Sequence, residues 1–396
     1  MWIFNYYSFV NFYTNQNINS FNLICMQIHK LSIDVPQALN RVKLQYEELL
    51  NAKRSFSLHS IFNCGKFQFD EYCNDFAPHT DTIIKNSTAS FGERYQILLP
   101  DADAYITCCM FLFPNAPQEN ILLLSKNYAV DFYLNDKMGR DVKPSSQEMK
   151  ELYEIRDRLA TLTTDLKLYP NASAAEIANI EVLKQISDLS PSQWFNKFLK
   201  QYLNHIDIAH QPYDIVRNGN MQSIEDYIRI RVEISGMPHT VTLIEFAHSN
   251  FLDWELLESI GLADDMRKLN EIVSYVGALT NDFFSFEKEV IDRQSDSNLI
   301  FVVLINNFRM RLDEAIEVAG HIISNLLNDY ENSLTQIRDR LNVSNISEVS
   351  KNQINKYLNG LKSVLQACWT WQTYTQRYKR TYSLWEETRK KEAIII

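Results

Sequence analysis

The stretch DDMRKLNEIVSYVGALTNDFFSFEKEV, Asp264 to Val290, reads as one long uninterrupted helix. Leu299 to Tyr330 and Ile354 to roughly Arg389 read the same way downstream. Upstream, Glu225 to Ile234 is helical, stops at Ser235-Gly236, and restarts after Pro238 through TLIEFAH. Gln147 to Leu166 and Ala174 to Leu189 form two further helices split by LYPNAS, and Ser190-Pro191 opens the next. Before them, one helix runs from about Asp101 to Phe113 and ends at Pro114. Another starts near Pro117 and continues through ENILLLSKNYAVDFYLND until Gly139 and DVKPSSQ break it. Between Pro36 and Lys53, Leu39, Val42, Tyr46, Leu49 and Leu50 recur at helical spacing, while residues 54–100 are less regular. No stretch alternates with period two for long enough to demand a sheet. The expectation is an all-α fold, built as one helical bundle over residues 36–396.

Composition agrees. Only 9 Gly and 10 Pro cannot punctuate a large many-turned β protein, and 45% hydrophobic residues suffice for a sizeable core. The 39 Lys and Arg against 49 Asp and Glu give a net charge of −10, without the basic excess of a nucleic-acid binder. An acidic chain binds a phosphate ester when metal ions lie between the two like charges. Cys25, Cys64, Cys73, Cys108, Cys109 and Cys368 form no CxxC pair and read as reduced, buried thiols of a cytoplasmic protein. The sequons at Asn86, Asn171, Asn342 and Asn345 read as chance. Residues 1–35 carry no charged side chain before Lys30, but asparagines interrupt the apolar residues too often for a membrane helix. They read as a poorly ordered extension.

Within the opening helix, NDFFSFEKE (Asn281–Glu289) carries the chemistry. Asn281, Ser285 and Glu289 stand at i, i+4 and i+8, on one helix face. An amide oxygen, a hydroxyl and a carboxylate in one column make an all-oxygen chelate suited to Mg²⁺. On spacing alone, a polar face beside a buried aromatic stripe is an equally good reading.

This segment resembles the NDxxSxxxE metal-binding motif of class I terpene synthases, matched at Asn281, Asp282, Ser285 and Glu289. Three further matches follow the family's order. Phe132-Tyr133-Leu134-Asn135-Asp136 stands where the family carries its aspartate-rich motif. Arg231, 50 positions before Asn281 and five before Gly236, resembles the diphosphate-sensing arginine and its kinked helix. Arg377-Tyr378, after Trp371, resembles the C-terminal RY pair. The resemblance spans about residues 100–380 and is to the microbial and amoebal single-domain kind. It implies an all-α isoprenoid-synthase bundle that ionises a prenyl diphosphate, most simply farnesyl diphosphate, to a sesquiterpene and diphosphate. It implies Mg²⁺, three ions in all with Mn²⁺ as an alternative, held by Asp136, Asn281, Ser285 and Glu289. Arg231, Lys288, Arg377 and Tyr378 would bind the diphosphate, with Arg231, Arg377 and Tyr378 assisting ionisation.

One departure stands out: Asn135 replaces the usual first aspartate. Asp131 and Asp141, five residues from Asp136 on either side, are about 1.4 helical turns off and could help only if the helix frays or bends. A dry aromatic lining would stabilise the carbocation, with Phe111, Phe132, Tyr133, Phe284 and Trp371 as candidates and core packing the default reading of each one singly. His205 and His210 flank Asp207 without good zinc spacing and read as packing or surface histidines. The tail TRKKE reads as a solvated helix end. Two competitors remain. A chain-elongating prenyltransferase usually has a second aspartate-rich motif where this chain has NDFFSFEKE. A non-catalytic helical paralogue has Asn135 as its only support.

Overall fold

Helix boundaries are set by side chains that satisfy the first free N–H groups. Asp34 accepts from the Gln37 N–H at 3.0 Å and starts α1, Val35–Asn51. α2 is Leu58–Phe62, α3 Thr82–Arg94, α4 Ala102–Leu112, α5 Gln118–Met138 and α6 Ser146–Ala160. Ser173 and Glu176 form a capping box at α7, Ala174–Asp188, and Glu176 also takes a bidentate pair from Arg158 at 2.7 and 2.9 Å. α8 is Ser192–Ala209, α9 Ile224–Ile234 with Ser223 as its cap, α10 Met237–Ala247 and α11 Trp254–Ser259. α12, Ala263–Phe286, runs directly into a π-helical turn over Glu287–Asp292; α13 is Leu299–Asn306, α14 Leu312–Val343 and α15 Glu348–Tyr374. This computed structural model describes residues 34–62, 82–99, 102–138, 146–209, 216–217, 220–307 and 309–390. The expected extension over residues 1–35 falls outside them except for Asp34 and Val35.

The all-α expectation holds: the strands among the described residues are Val216–Arg217 and Asn220–Met221, a two-residue antiparallel pair. α12 is the axis. It packs on α9, α10, α14 and α15, and most of its side chains from Ala263 to Phe286 are buried. α5 closes the opposite side against α3, α4 and α7. Cys108, Cys109 and Cys368 are free and buried.

Two long helices expected from the sequence are broken. Leu299–Tyr330 divides at Asn307, where the backbone turns extended, and α14 restarts behind Arg311 with Glu314 closing a capping box. No Gly or Pro marks this break; its cause is a change of environment. LIFVVLIN in α13 is buried on all sides, whereas α14 is amphipathic, so the two segments must lie at different depths. Ile354–Arg389 stops at Tyr374. Thr375 takes an extended conformation, and a 3-10 turn follows over Gln376–Tyr378.

Part of the tail after that turn is core: Ser383, Leu384, Trp385 and Thr388 are buried, whereas Arg389 and Lys390 of TRKKE are exposed and the rest of that segment lies outside the described residues. Glu287, almost fully buried, accepts from Tyr46 Oη at 3.0 Å, Ser383 Oγ at 2.7 Å and Leu384 N at 2.8 Å. It thereby ties α1, the π turn and the tail together. Trp385, with no exposed surface, packs against Phe56, Phe283 and Phe286. Trp385→Ala is expected to lower stability by about 3–5 kcal/mol in denaturant unfolding. Tyr382→Ala, three residues away and 78% exposed, serves as the near-neutral control; equal effects would mean that the tail is not core.

Candidate active site

A cavity of about 220 Å³ opens between α5, α9, α12 and α15, and its walls differ in character. Near the C-terminal end of α5, Asp136 accepts both terminal nitrogens of Arg377, at 3.0 and 3.2 Å. Arg377 reaches it because the chain leaves α15 at Thr375; the Thr375 hydroxyl accepts the Arg377 N–H at 3.3 Å and fixes the 3-10 turn. Had α15 continued to Arg389, Arg377 and Tyr378 would follow the helix surface instead.

The facing wall is α12. Asn281 accepts from Arg231 Nη2 at 2.9 Å, and its Nδ2 donates to Tyr378 Oη at 2.9 Å and Gln372 Oε1 at 3.0 Å. Arg231 Nε donates to the wholly buried Asp282 at 2.6 Å. Burial works against the Arg231 charge, but Asp282, then Tyr227 and Glu289, outweigh it and raise its pKa. Burial raises the Tyr378 phenol in turn. Ser285 donates to Glu289 Oε2 at 2.8 Å. On a straight α-helix, residues at i, i+4 and i+8 drift by about 80° in total. The π turn beginning at Glu287 has more residues per turn and offsets the second half of that drift, so Glu289 returns over Ser285.

The metal- and diphosphate-binding residues named from the resemblance are therefore placed in one neighbourhood, with differences of depth. Asp136, Arg231, Asn281, Glu289, Arg377 and Tyr378 line the cavity, whereas Ser285 lies behind Glu289 with no exposed surface. Lys288 does not line the cavity but belongs to the same charged cluster. Burial, then Arg377 and Arg293, push its amine down to about 8, against the pull of Asp136 and Glu289. Asp141 and His210 lie outside the described residues.

The deeper wall sorts the aromatic candidates and corrects the reading of His205. Phe132 and Trp371 line the cavity, 5.9 Å apart between ring centroids, and Tyr128 joins them. Phe111 instead packs on Tyr374 and Phe284 on Trp369, while Tyr133 faces Lys137. His205 is neither a surface nor an ordinary packing histidine: it lines the cavity with Nε2 3.2 Å from Asp131 Oδ1. Sequence spacing could not show this, because 74 positions separate the pair. Arg293 and Ser297, also on the wall, were likewise missed; only their place just beyond NDFFSFEKE hinted at it.

The sequence model of terpene synthase family 2, C-terminal metal binding, matches residues 128–329, just over half of the chain. The chain belongs to terpene synthase family 2. Terpene synthase 1 of Tieghemostelium lacteum is 26% identical over 196 residues, 50% of this chain and 53% of that relative, so the matched stretch spans about half of that protein's length. Germacrene A synthase of Nostoc punctiforme is 24% identical over 238 residues, 60% of this chain and 70% of its own. Among solved structures, a-eudesmol synthase has a TM-score of 0.63 at 14% identity, covering 76% of this chain and 98% of its own. Germacradien-4-ol synthase from Streptomyces citricolor has a TM-score of 0.60 at 15% identity, covering 73% and 94%. These structures establish that the family's all-helical fold is shared.

The family is described as metal binding. The donor set on α12 fits a hard dication: Asn281 Oδ1, Ser285 Oγ and Glu289 Oε2 are all oxygens, with the last two already 2.8 Å apart. No cluster of three or more His, Cys, Asp and Glu suited to a metal occurs among the described residues.

The two arginines differ in what they hold. Arg231→Met leaves Asp282 fully buried without its charge partner and should cost about 3–5 kcal/mol of stability. Arg377→Met should cost clearly less, because Asp136 retains some contact with solvent. Urea unfolding of both variants checks the order; a larger loss for Arg377→Met would contradict the burial argument.

Proposed function

We propose that this terpene synthase ionises farnesyl diphosphate with Mg²⁺ and releases a sesquiterpene and diphosphate. One observation carries the reading: a single cavity joins a charged rim, built from Asp136–Arg377 and Arg231–Asn281–Tyr378, to an inner wall of Tyr128, Phe132, Met237 and Trp371. An amphiphile with an anionic head and a hydrocarbon tail matches that division. The relatives named for germacrene A and for sesquiterpene synthesis support the C15 chain length at low identity.

Asn281, Ser285 and Glu289 would hold metal on one wall and Asp136 on the other, supplying Lewis-acid neutralisation of the leaving diphosphate. The chain's own cations complete the grip. Arg231 and Arg377 present guanidinium groups at the rim, and Lys288 and Arg293 stand in the same cluster. Charge-assisted hydrogen bonds from such groups strengthen as negative charge grows on the departing oxygen. Arg231 is held rigidly by Asp282, so little reorganisation is required at that moment. Tyr378 shares Asn281 with Arg231, which fixes the amide's orientation toward the cavity. Below the rim, the ring faces of Phe132 and Trp371 can stabilise a cation without attacking it. The same wall keeps water from it.

The test uses purified protein with geranyl, farnesyl and geranylgeranyl diphosphate supplied singly with Mg²⁺, followed by extraction of volatile products. A hydrocarbon or alcohol from farnesyl diphosphate is expected. Elongation only on adding isopentenyl diphosphate would make the protein a prenyltransferase, and the absence of turnover would make it a non-catalytic relative. Asn281→Ala should reduce diphosphate release by at least ~100-fold while far-UV circular dichroism stays unchanged, since a metal clamp is worth several kcal/mol. Wild-type turnover in that variant would remove Asn281 from the site.

A further inference from the structure

We propose that Asp131, held by His205, is the base that takes the final proton from the hydrocarbon cation. The assignment rests on the functional reading above. Asp131 precedes Asp136 by five residues on α5, which sets it about 7.5 Å deeper along the helix axis. It therefore faces the hydrocarbon end of the cavity rather than the diphosphate end. Tyr128, Phe132, Met237 and Trp371 line the same chamber. A carboxylate lining this chamber is a group that can accept a proton from a carbocation.

The surroundings of His205 settle its part. Its Nδ1 lies 3.3 Å from the Glu233 carbonyl oxygen, which can only accept, and its Nε2 lies 3.2 Å from Asp131. An imidazolium, with a hydrogen on each nitrogen, satisfies both contacts. Burial works against that charge, but Asp131 and then Glu233 outweigh it and raise the His205 pKa. His239, with ring centroid 5.1 Å away, stays neutral: burial and the His205 charge push it down to about 3. The cluster thus holds one positive charge, on His205, directed at Asp131. Gly236 makes room for it. Its φ of +72° breaks the α9–α10 helix pair, and a Cβ there would come within 2.7 Å of His239 and 3.2 Å of His205.

The step balances as follows. The C–H bond beside the cationic carbon breaks, its electron pair becomes the C=C bond, and the proton passes to a carboxylate oxygen of Asp131. His205 remains protonated throughout and is a positioning residue. Asp131 returns its proton to water when the olefin leaves.

The test compares olefin formed with diphosphate released, for the full-length wild type and for Asp131→Asn, from farnesyl diphosphate and Mg²⁺. Asp131→Asn should lower the olefin-to-diphosphate ratio at least fivefold, with water-quenched alcohols or shifted double-bond isomers making up the difference. An unchanged ratio and product pattern would overturn the assignment, and so would loss of diphosphate release in a folded Asp131→Asn protein, which would place Asp131 in ionisation. Should that variant fail to fold, His205→Gln decides. It keeps an N–H toward Asp131 but removes the positive charge, so the ratio should fall in the same direction by a smaller factor. A wild-type ratio there would sink the proposal. Wild-type protein that releases no diphosphate at all would instead overturn the functional reading, and this assignment with it.

Discussion

Asp282 is the carboxylate on which the site is assembled. It has no exposed surface, so both of its carboxylate oxygens must meet protein donors. Tyr227 Oη and Arg231 Nε, one helical turn apart on α9, supply two at 2.6 Å each. The Leu299 N–H supplies a third at 2.8 Å. Leu299 is the first residue of α13, so the carboxylate also compensates the positive end of that helix. Asn298 completes the joint by donating to the Asp282 carbonyl oxygen at 2.7 Å. Three helices meet on one side chain, and its neighbour Asn281 inherits their rigidity. The Arg231 side chain that satisfies Asp282 also donates to Asn281, so the joint and the rim share one cation.

This arrangement explains which features were legible in the sequence. The column Asn281–Ser285–Glu289, the break at Ser235-Gly236 and the all-helical character are local, and helix periodicity reports them directly. Arg377 and Tyr378 could be named from their pattern, but not their setting. Between Gly360 and Arg389 no Gly or Pro occurs, and nothing in that run gave a sign that Thr375 would turn extended. That turn is fixed from far away, by Glu287 and Trp385 holding the tail against α1 and α12. The Asn307 break has a similar origin, since burial depth and not local propensity separates α13 from α14. Asp131 and His205 were visible only as an off-register acid and an ill-spaced histidine. Their pairing depends on α5 and α8 approaching each other, which no spacing within either helix can encode.

The cavity works by keeping two solvation regimes apart within one chamber. At the rim, charged groups are paired and hydrogen-bonded, so they can be desolvated without being neutralised by proton transfer. Below it, the lining is aromatic and thioether, polarisable but not nucleophilic. Cys108 and Cys368 fit this wall because burial raises both thiols, keeping them protonated and weakly nucleophilic. Asp131 is the exception in that wall, and its pairing with His205 lets a carboxylate persist there.

The overall acidity does not extend to the rim. Arg231, Lys288, Arg293 and Arg377 face Asp136, Asp282 and Glu289, so the cluster carries an excess of positive charge within a chain of net charge −10. The lowered Lys288 amine reflects that excess together with burial. Replacing Asn135 by the family's aspartate would cancel the excess and give Arg377 a second carboxylate to choose from. With a neutral Asn135, the carboxylate that pairs with Arg377 is Asp136, and both of its oxygens are already engaged. On the proposed function, metal at α5 must share Asp136 with Arg377, and metal at α12 must share Asn281 with Arg231 and Glu289 with Ser285. Binding of metal would then have to loosen pairs on both walls. The excess positive charge at the rim becomes the main attraction for a diphosphate arriving before the α5 side is fully occupied.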